Sequence, residues 1–164
     1  MTVVIADTSP INYLILIGAI DILPQLYNRL VIPADVYTEL TDIGAPLQVR
    51  RWAAQPPDWL EVRQTPNRDA SLMDLDAGES AAIALAGLER EVLLLIDESA
   101  GRLEAARRGI PNTGTLGVLR LAAIESLLDL PSALKRLAAT NFRVSKNLIT
   151  ELLAEDANRR QPVK

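Results

Sequence analysis

The chain contains neither cysteine nor histidine in its 164 residues. Without cysteine it has no disulfide, no thiol nucleophile and no zinc site built on thiolates. Without histidine it cannot assemble a Ser-His-Asp triad, because that triad needs an imidazole as its general base. Any general base in this protein must therefore be a carboxylate or a hydroxide supplied by a metal ion.

Positive charge is scarce and unevenly distributed. The formal net charge is −4, and 14 of the 17 cationic residues are arginine, with the first lysine at Lys135. A chain of this charge is not a general polyanion binder held by bulk attraction. The planar guanidinium of arginine suits phosphate groups, although a GC-rich coding bias would produce the same excess. The reason for the arginine excess therefore stays open at this point.

Long hydrophobic runs are also missing. The stretch NYLILIGAIDIL is interrupted by Gly18 and Asp21, so it does not reach the length that spans a membrane. No basic leader precedes the first apolar run, which predicts a cytoplasmic protein. The length predicts one domain, and an apolar fraction of 49% is sufficient for a substantial core.

Short apolar runs alternate with helical patterns along the chain. VVIA at 3–6 and VLLLI at 92–96 predict strands that are buried on both faces. We expect Ser9-Pro10 to cap and open the first helix, and GIP at 109–111 to form a short last strand. Strands and helices in alternation predict a parallel sheet that is covered by helices on two sides.

Four acidic residues fall where such a sheet would bring them together. Asp7 and Asp97 each follow an apolar strand, and ligands of these sheets bind beyond the carboxyl ends of the strands. Glu39 lies on the helix after another strand, and Glu79 lies in the first turn of a later helix. Each also has a structural interpretation: Asp7 and Asp97 as helix caps, although Ser9-Pro10 already supplies the cap after Asp7, Glu39 on a solvated face, and Glu79 in a capping box with Asp76.

Taken together, the four acids predict a metal site. Two carboxylates about 4 Å apart repel by about 4 kcal/mol at the effective dielectric near a protein surface. A bound divalent cation offsets that repulsion, and Mg²⁺ or Mn²⁺ suits a site of carboxylates and water. In the absence of metal we expect Asp97→Asn to raise the melting temperature, because it removes one of the charges.

These acids lie in motifs that resemble those of the PIN-domain nucleases. The motifs are Asp7-Thr8-Ser9, Pro33-x-x-Val36-x-x-Glu39, Glu79 in GESAAIALA, and Asp97 in LLLID. The chain is similar to the VapC-like toxin ribonucleases, and within the family to a little-characterised branch that carries LDxGExxAIxLA and GTLGVL and has a longer helical C-terminus. It departs from many members in having Glu79 where they have aspartate.

The resemblance implies both a fold and an activity. The implied fold is a three-layer α/β/α sandwich with a central parallel sheet of four to five strands, in a PIN-like nuclease domain over 1–130, with a C-terminal helical extension over 131–164 packed on it. The implied activity is an Mg²⁺- or Mn²⁺-dependent endoribonuclease, the toxin of a type II toxin–antitoxin pair. Implied partners are RNA, a small antitoxin protein and a second copy in a homodimer.

The resemblance also assigns roles to the acids, and neighbouring residues can be added from the sequence. Asp7, Glu79 and Asp97 would be the metal ligands, and Glu39 would orient the attacking water. Four further residues are candidates for supporting or substrate contacts: Ser9 on a ligand carboxylate, Arg102 on substrate, and Thr113 and Thr115 on phosphate. For Ser9 and the two threonines, helix capping is the alternative. The apolar stripe of the last helix packs on its own domain or forms an interface.

Other functions on similar folds are less compatible with the sequence. Haloacid-dehalogenase phosphatases carry D-x-D after the first strand, where this chain has Ser9 at the third position. Receiver domains need a lysine near the end of the last strand, and GIPNTGT has none. A catalytically silent PIN-like module that binds nucleic acid or protein remains an alternative.

Overall fold

Five short strands form one sheet in the computed structural model, which describes residues 1–67 and 70–161. The strands are β1 Val3–Ala6, β2 Leu30–Pro33, β3 Leu60–Arg63, β4 Val92–Leu95 and β5 Asn112–Thr113. All neighbouring strands are parallel, and their order in space is β3-β2-β1-β4-β5. The chain therefore adds strands to one side of β1 and then crosses to the other side, so the winding reverses between β1 and β4.

Nine α-helices lie in the described ranges. They are α1 Thr8–Leu16, α2 Ile22–Tyr27, α3 Ala34–Thr41, α4 Leu47–Ala54, α5 Ala77–Ala86, α6 Ser99–Arg107, α7 Thr115–Ile124, α8 Leu130–Ala138 and α9 Lys146–Arg160. With the parallel sheet they confirm the predicted α/β/α sandwich with helices at its C-terminal end.

The two faces of the sheet are buried by different helices. Alternate residues of one strand point to opposite faces, so Val4 and Ala6 join the core under α1, α7 and α8, whereas Ile5 joins the core under α5 and α6. All three side chains are at most 5% exposed. Burial on both faces explains why the strands read as continuous apolar runs.

Two boundaries differ from the sequence prediction. Helix α1 begins at Thr8, so the cap position belongs to Asp7 and Ser9 lies inside the first turn. GIP does not form the last strand. Gly109 has a φ of +72° and Ile110 donates its N–H to the Ala105 carbonyl at 2.8 Å, so this segment closes the end of α6. The strand starts only at Asn112.

The C-terminal helices share the core of the sheet domain. Leu134 and Leu137 of α8 and Leu152 of α9 are at most 8% exposed and belong to the same apolar cluster as β1. An ion pair of 2.7 Å joins Arg120 of α7 to Glu155 of α9. In the described part of the chain, no helix combines the length and apolar character that crossing a bilayer requires.

This packing predicts that the C-terminal helices unfold together with the sheet. Leu137→Ala should lower the free energy of unfolding by about 2–4 kcal/mol, because it leaves a cavity in the shared core. Leu103→Ala, at a side chain that is 73% exposed, is the matched control and should change stability little. Urea unfolding followed by circular dichroism should show one transition for both variants; a separate early transition in Leu137→Ala would mean that the extension folds independently.

Candidate active site

Asp7 lies at the carboxyl end of the central strand, on one side of the point where the winding reverses. Its backbone N–H donates to the Leu95 carbonyl at 2.9 Å, which holds it beside β4. The residue is 4% exposed, and its Oδ1 has no hydrogen-bond partner among the described residues. The pKa of Asp7 is raised to about 7, mainly by burial; the charges of Asp76, Glu39 and Asp97 contribute, and the hydrogen bond from the Thr8 amide acts in the opposite direction.

Glu39 reaches the same place from α3. The Thr8 hydroxyl donates to its Oε2, and the Gly78 N–H donates to its Oε1 at 2.9 Å. The carboxylate therefore lies at the N-terminus of α5, where the helix dipole favours a negative charge. Burial is the main reason that the pKa of Glu39 is raised, and Asp76 adds to it.

Gly78 lets these two carboxylates meet. A Cβ at this position would lie 2.6 and 2.8 Å from the two carboxylate oxygens of Glu39, and 2.9 Å from Asp7 Oδ1. Real Cβ atoms do not approach other heavy atoms so closely. A glycine in the first turn of α5 is thus a requirement of the site, since glycine is otherwise unfavourable inside a helix.

Glu79 adds a third carboxylate from the next position of α5. It is 5% exposed, and its pKa is raised to about 8, first by burial and then by Asp76, with Asp7 and Glu98 contributing. Asp76 caps α5 by accepting the Glu79 N–H at 2.8 Å, and the two side chains also share a hydrogen bond. Two carboxyl groups can share a hydrogen bond only while one holds a proton, which agrees with the raised pKa of Glu79.

Asp97 is held differently, by three donors. Its Oδ2 accepts the hydroxyls of Ser9 and Thr115, each at 2.7 Å, and its Oδ1 accepts the Thr115 N–H at 2.6 Å. For Asp97→Asn the structure adds an effect that opposes the expected gain in stability, because one carboxylate oxygen would become an N–H donor facing these donors. Asp97 also needs a glycine beside it, since a Cβ on Gly114 would lie 2.6 Å from its Oδ1.

The structure thus brings the four candidate acids to one edge of the sheet and adds Asp76 to them. We call this set the acidic cluster: Asp7, Glu39, Asp76, Glu79 and Asp97. In the described part of the chain none of them forms an ion pair with arginine or lysine. The cluster therefore concentrates acidic groups, none of which is balanced by an ion pair.

The sequence-predicted supporting residues separate into two groups. Ser9 and Thr115 both bond Asp97, and Thr115 is fully buried, so its hydroxyl positions a carboxylate and does not face a substrate. Arg102 and Thr113 line an open cleft beside Asp97. Of these four, only the first two touch the acidic cluster.

Sequence reasoning missed Asp76, Gly78 and Gly114 as parts of the site. Asp76 caps α5, as the capping box with Glu79 predicts, and it also contributes to the raised pKa of three neighbours. The usable signal was the glycine in DAGES, because a glycine inside a strongly apolar helix marks a close approach.

The donor set fits a hard divalent cation, although not in the present side-chain positions. Among the described residues, no group of three or more acidic side chains is arranged so that it could hold a metal ion. The oxygens of Glu39 and Asp97 are turned toward hydroxyl and amide donors instead. The unpartnered Asp7 Oδ1 and the unbalanced charge around it are what a cation would satisfy, and carboxylate oxygens suit Mg²⁺ or Mn²⁺.

Comparison with known proteins gives one family. The family model DUF3368, a PIN domain, matches residues 3–158, which is nearly the whole chain. No curated protein matches the chain significantly.

The buried carboxyl of Asp7 predicts a stability difference that depends on pH. A raised folded-state pKa means that the folded protein binds more protons than the unfolded chain between about pH 4 and pH 7, so folding loses stability as pH rises through this range. With chelator present, Asp7→Asn should match the wild type near pH 4 and exceed it at pH 8 by on the order of 3–4 kcal/mol, since one pKa unit corresponds to about 1.4 kcal/mol.

The matched control for that comparison is Asp58→Asn. Asp58 is exposed and precedes β3, at the opposite edge of the sheet from the acidic cluster. Urea unfolding of the three proteins at several pH values gives the comparison. If Asp7→Asn and Asp58→Asn track each other at every pH, the carboxyl of Asp7 is not held in a costly environment.

Proposed function

Because the chain belongs to the PIN-domain family, we propose that it is an Mg²⁺- or Mn²⁺-dependent endoribonuclease that hydrolyses RNA phosphodiester bonds at the acidic cluster. PIN domains are generally nucleases and typically use divalent metal ions. The observation that carries the proposal to these residues is the crowding of buried carboxylates without a balancing cation.

Each acid has a role that its surroundings support. Asp7, Glu79 and Asp97 would hold the cation, Asp7 through the oxygen that has no protein partner. When bound, the cation supplies charge that offsets the negative charge developing on the phosphoryl oxygens and lowers the pKa of the attacking water. Ser9 and Thr115 hold the Asp97 carboxylate in one orientation, and its Oδ1, which accepts a single N–H, keeps a lone pair for a cation.

Glu39 is suited to orient the attacking water. One donor occupies each of its oxygens, the Thr8 hydroxyl and the Gly78 amide, and every carboxylate oxygen has a second acceptor site. Glu39 can therefore accept a hydrogen from water in line with the phosphorus while its own position stays fixed. With no histidine in the chain, a carboxylate is the available general base.

The biological role is a finer part of the proposal. We infer the toxin of a type II toxin–antitoxin pair, with a small antitoxin as partner, a cytoplasmic location and a homodimer as a further state. Ile43 and Leu47 are 87% and 50% exposed and follow α3, which carries Glu39. Exposed apolar side chains that follow the helix of Glu39 support a protein partner for the chain.

The activity is tested with purified protein and a labelled RNA. We expect cleavage in Mn²⁺ or Mg²⁺, none in EDTA, and a rate reduced by at least about a hundredfold in Asp7→Asn, as for loss of a group that stabilises developing charge. Asp58→Asn should cleave like the wild type. Cleavage that persists in EDTA or in Asp7→Asn would reject the proposal, and metal binding with no cleavage would favour the silent binding module.

The role of Gly78 gives a second test. Gly78→Ala should abolish cleavage while the fold remains, because the new Cβ displaces the carboxylates of Glu39 and Asp7 and no backbone group. Gly87→Ala is the matched control on the same helix; its Cβ would meet only ordinary contacts of 3.5 Å. Equal cleavage by both variants would show that Glu39 is not needed where the structure places it.

A further inference from the structure

A cleft opens beside Asp97. Its volume is about 440 Å³, and one wall is the turn from β5 into α7 while the other is the segment 142–148 from the C-terminal helices. Residues that line it include Asp97, Arg102, Leu116, Phe142, Arg143 and Leu148. The cleft is therefore continuous with the acidic cluster through Asp97.

Two arginines face this cleft without a carboxylate partner. Arg102 uses its Nε to donate to Asn112 at 3.2 Å, and the exposed Arg143 has no hydrogen-bond or ion-pair partner in the described residues. A Cβ placed on Gly114 would lie 3.6 Å from Arg102 Nη1 and 2.6 Å from Asp97 Oδ1, so these two atoms approach the same point. A guanidinium thus lies next to Asp97 with donors to spare. Guanidinium groups bind phosphate oxygens with paired N–H donors.

Arg143 is held at the cleft by the residues around it. The Tyr13 hydroxyl donates to Asn141 at 2.8 Å, and its ring meets Phe142 edge-on with centroids 4.9 Å apart. On the other side, Ser145 accepts the Leu148 N–H at 3.1 Å and so caps α9. Because contacts hold Phe142 on one side and Ser145 on the other, the backbone at Arg143 has little freedom, although its side chain is exposed.

The cleft also has an apolar wall. Leu148 is 40% exposed at the start of α9, and Leu116 and Val144 line the same space. An apolar wall next to unpaired guanidinium groups matches a nucleotide, which presents a flat base and a charged phosphate side by side.

We propose that this cleft holds the nucleotides next to the scissile bond, with Arg102 and Arg143 on backbone phosphates and a base against Leu148. The proposal rests on the proposed ribonuclease function and gives the C-terminal helices a role in it. RNA is the occupant because the cleft ends at the acidic cluster and presents two cations to a chain of phosphates. An acidic protein segment that extended to those carboxylates would be repelled by them.

Binding is measured first, with EDTA present so that no cleavage occurs. The probe is a fluorescein-labelled single-stranded RNA dodecamer, followed by fluorescence anisotropy at several salt concentrations. Arg102→Gln and Arg143→Gln should each weaken binding about five- to tenfold and reduce the slope of log K against log salt by about 0.7, as for one lost phosphate contact. Arg90→Gln is the matched control, an exposed arginine before β4 at the opposite edge of the sheet, and should bind like the wild type.

Cleavage kinetics separate this proposal from the proposed function. In Mn²⁺, Arg143→Gln should raise KM about five- to tenfold with kcat nearly unchanged, because the residue contacts substrate away from the reacting phosphate. If the wild type cleaves and Arg143→Gln has an unchanged KM, the cleft is wrong and the ribonuclease stands. If the wild type binds RNA through these arginines without cleaving it, the cleft stands and the ribonuclease is wrong.

The apolar wall has its own control. Leu148→Ala should weaken RNA binding a few-fold, because it removes apolar surface that a base would cover, whereas Leu103→Ala, exposed on α6, should not. A wild-type protein that shows no salt-dependent RNA binding would overturn the cleft as an RNA site. In that case, binding of a poly-glutamate peptide to the wild type but not to Arg143→Gln would assign the cleft to an acidic protein.

Discussion

The structure depends on a repulsion: five carboxyl groups, two of them buried, share one edge of a parallel sheet, and in the described part of the chain none of them is ion-paired with arginine or lysine. The nearby residues lower the energetic cost of this crowding, but the carboxyl groups stay close together. Hydroxyl and amide donors fix the carboxylates of Asp97 and Glu39. Glycine at 78 and 114 leaves the space in which those carboxylates lie. Asp7 Oδ1 has the space beside Gly78 but no hydrogen-bond donor, so it is where a divalent cation would gain most.

The sheet topology explains why the charges meet. The winding reverses between β1 and β4, so no crossover helix covers the carboxyl ends of these two strands and a crevice forms there. Asp7 and Asp97 lie at the ends of these two strands. Glu39 on α3 and Glu79 on α5 lie at the same edge of the sheet. The C-terminal helices then extend the crevice, because the segment before α9 forms the far wall of the cleft beside Asp97. Fold, acidic cluster and cleft are thus one continuous arrangement.

The parts that sequence could predict are those with a local pattern. Apolar strands that end in an acid predicted the sheet and the positions of Asp7 and Asp97, and the motifs around them predicted the family. The pattern around Ile110 was misleading, because an apolar residue after glycine serves equally to end a helix or to begin a strand. The donors from Thr115 and the position of Arg143 depend on contacts between residues far apart in the chain, and no local pattern encodes those.

The most direct test of the central claim is proton release when a divalent cation binds. If the cation satisfies carboxyl groups whose pKa values are raised to about 7 and about 8, its binding must displace the protons they hold. Titration calorimetry of the wild type with Mg²⁺ at pH 7, in buffers of different ionisation enthalpy, should show release of about one to two protons per ion, falling toward zero at pH 9. Binding with no proton release at pH 7, or no binding, would contradict the account.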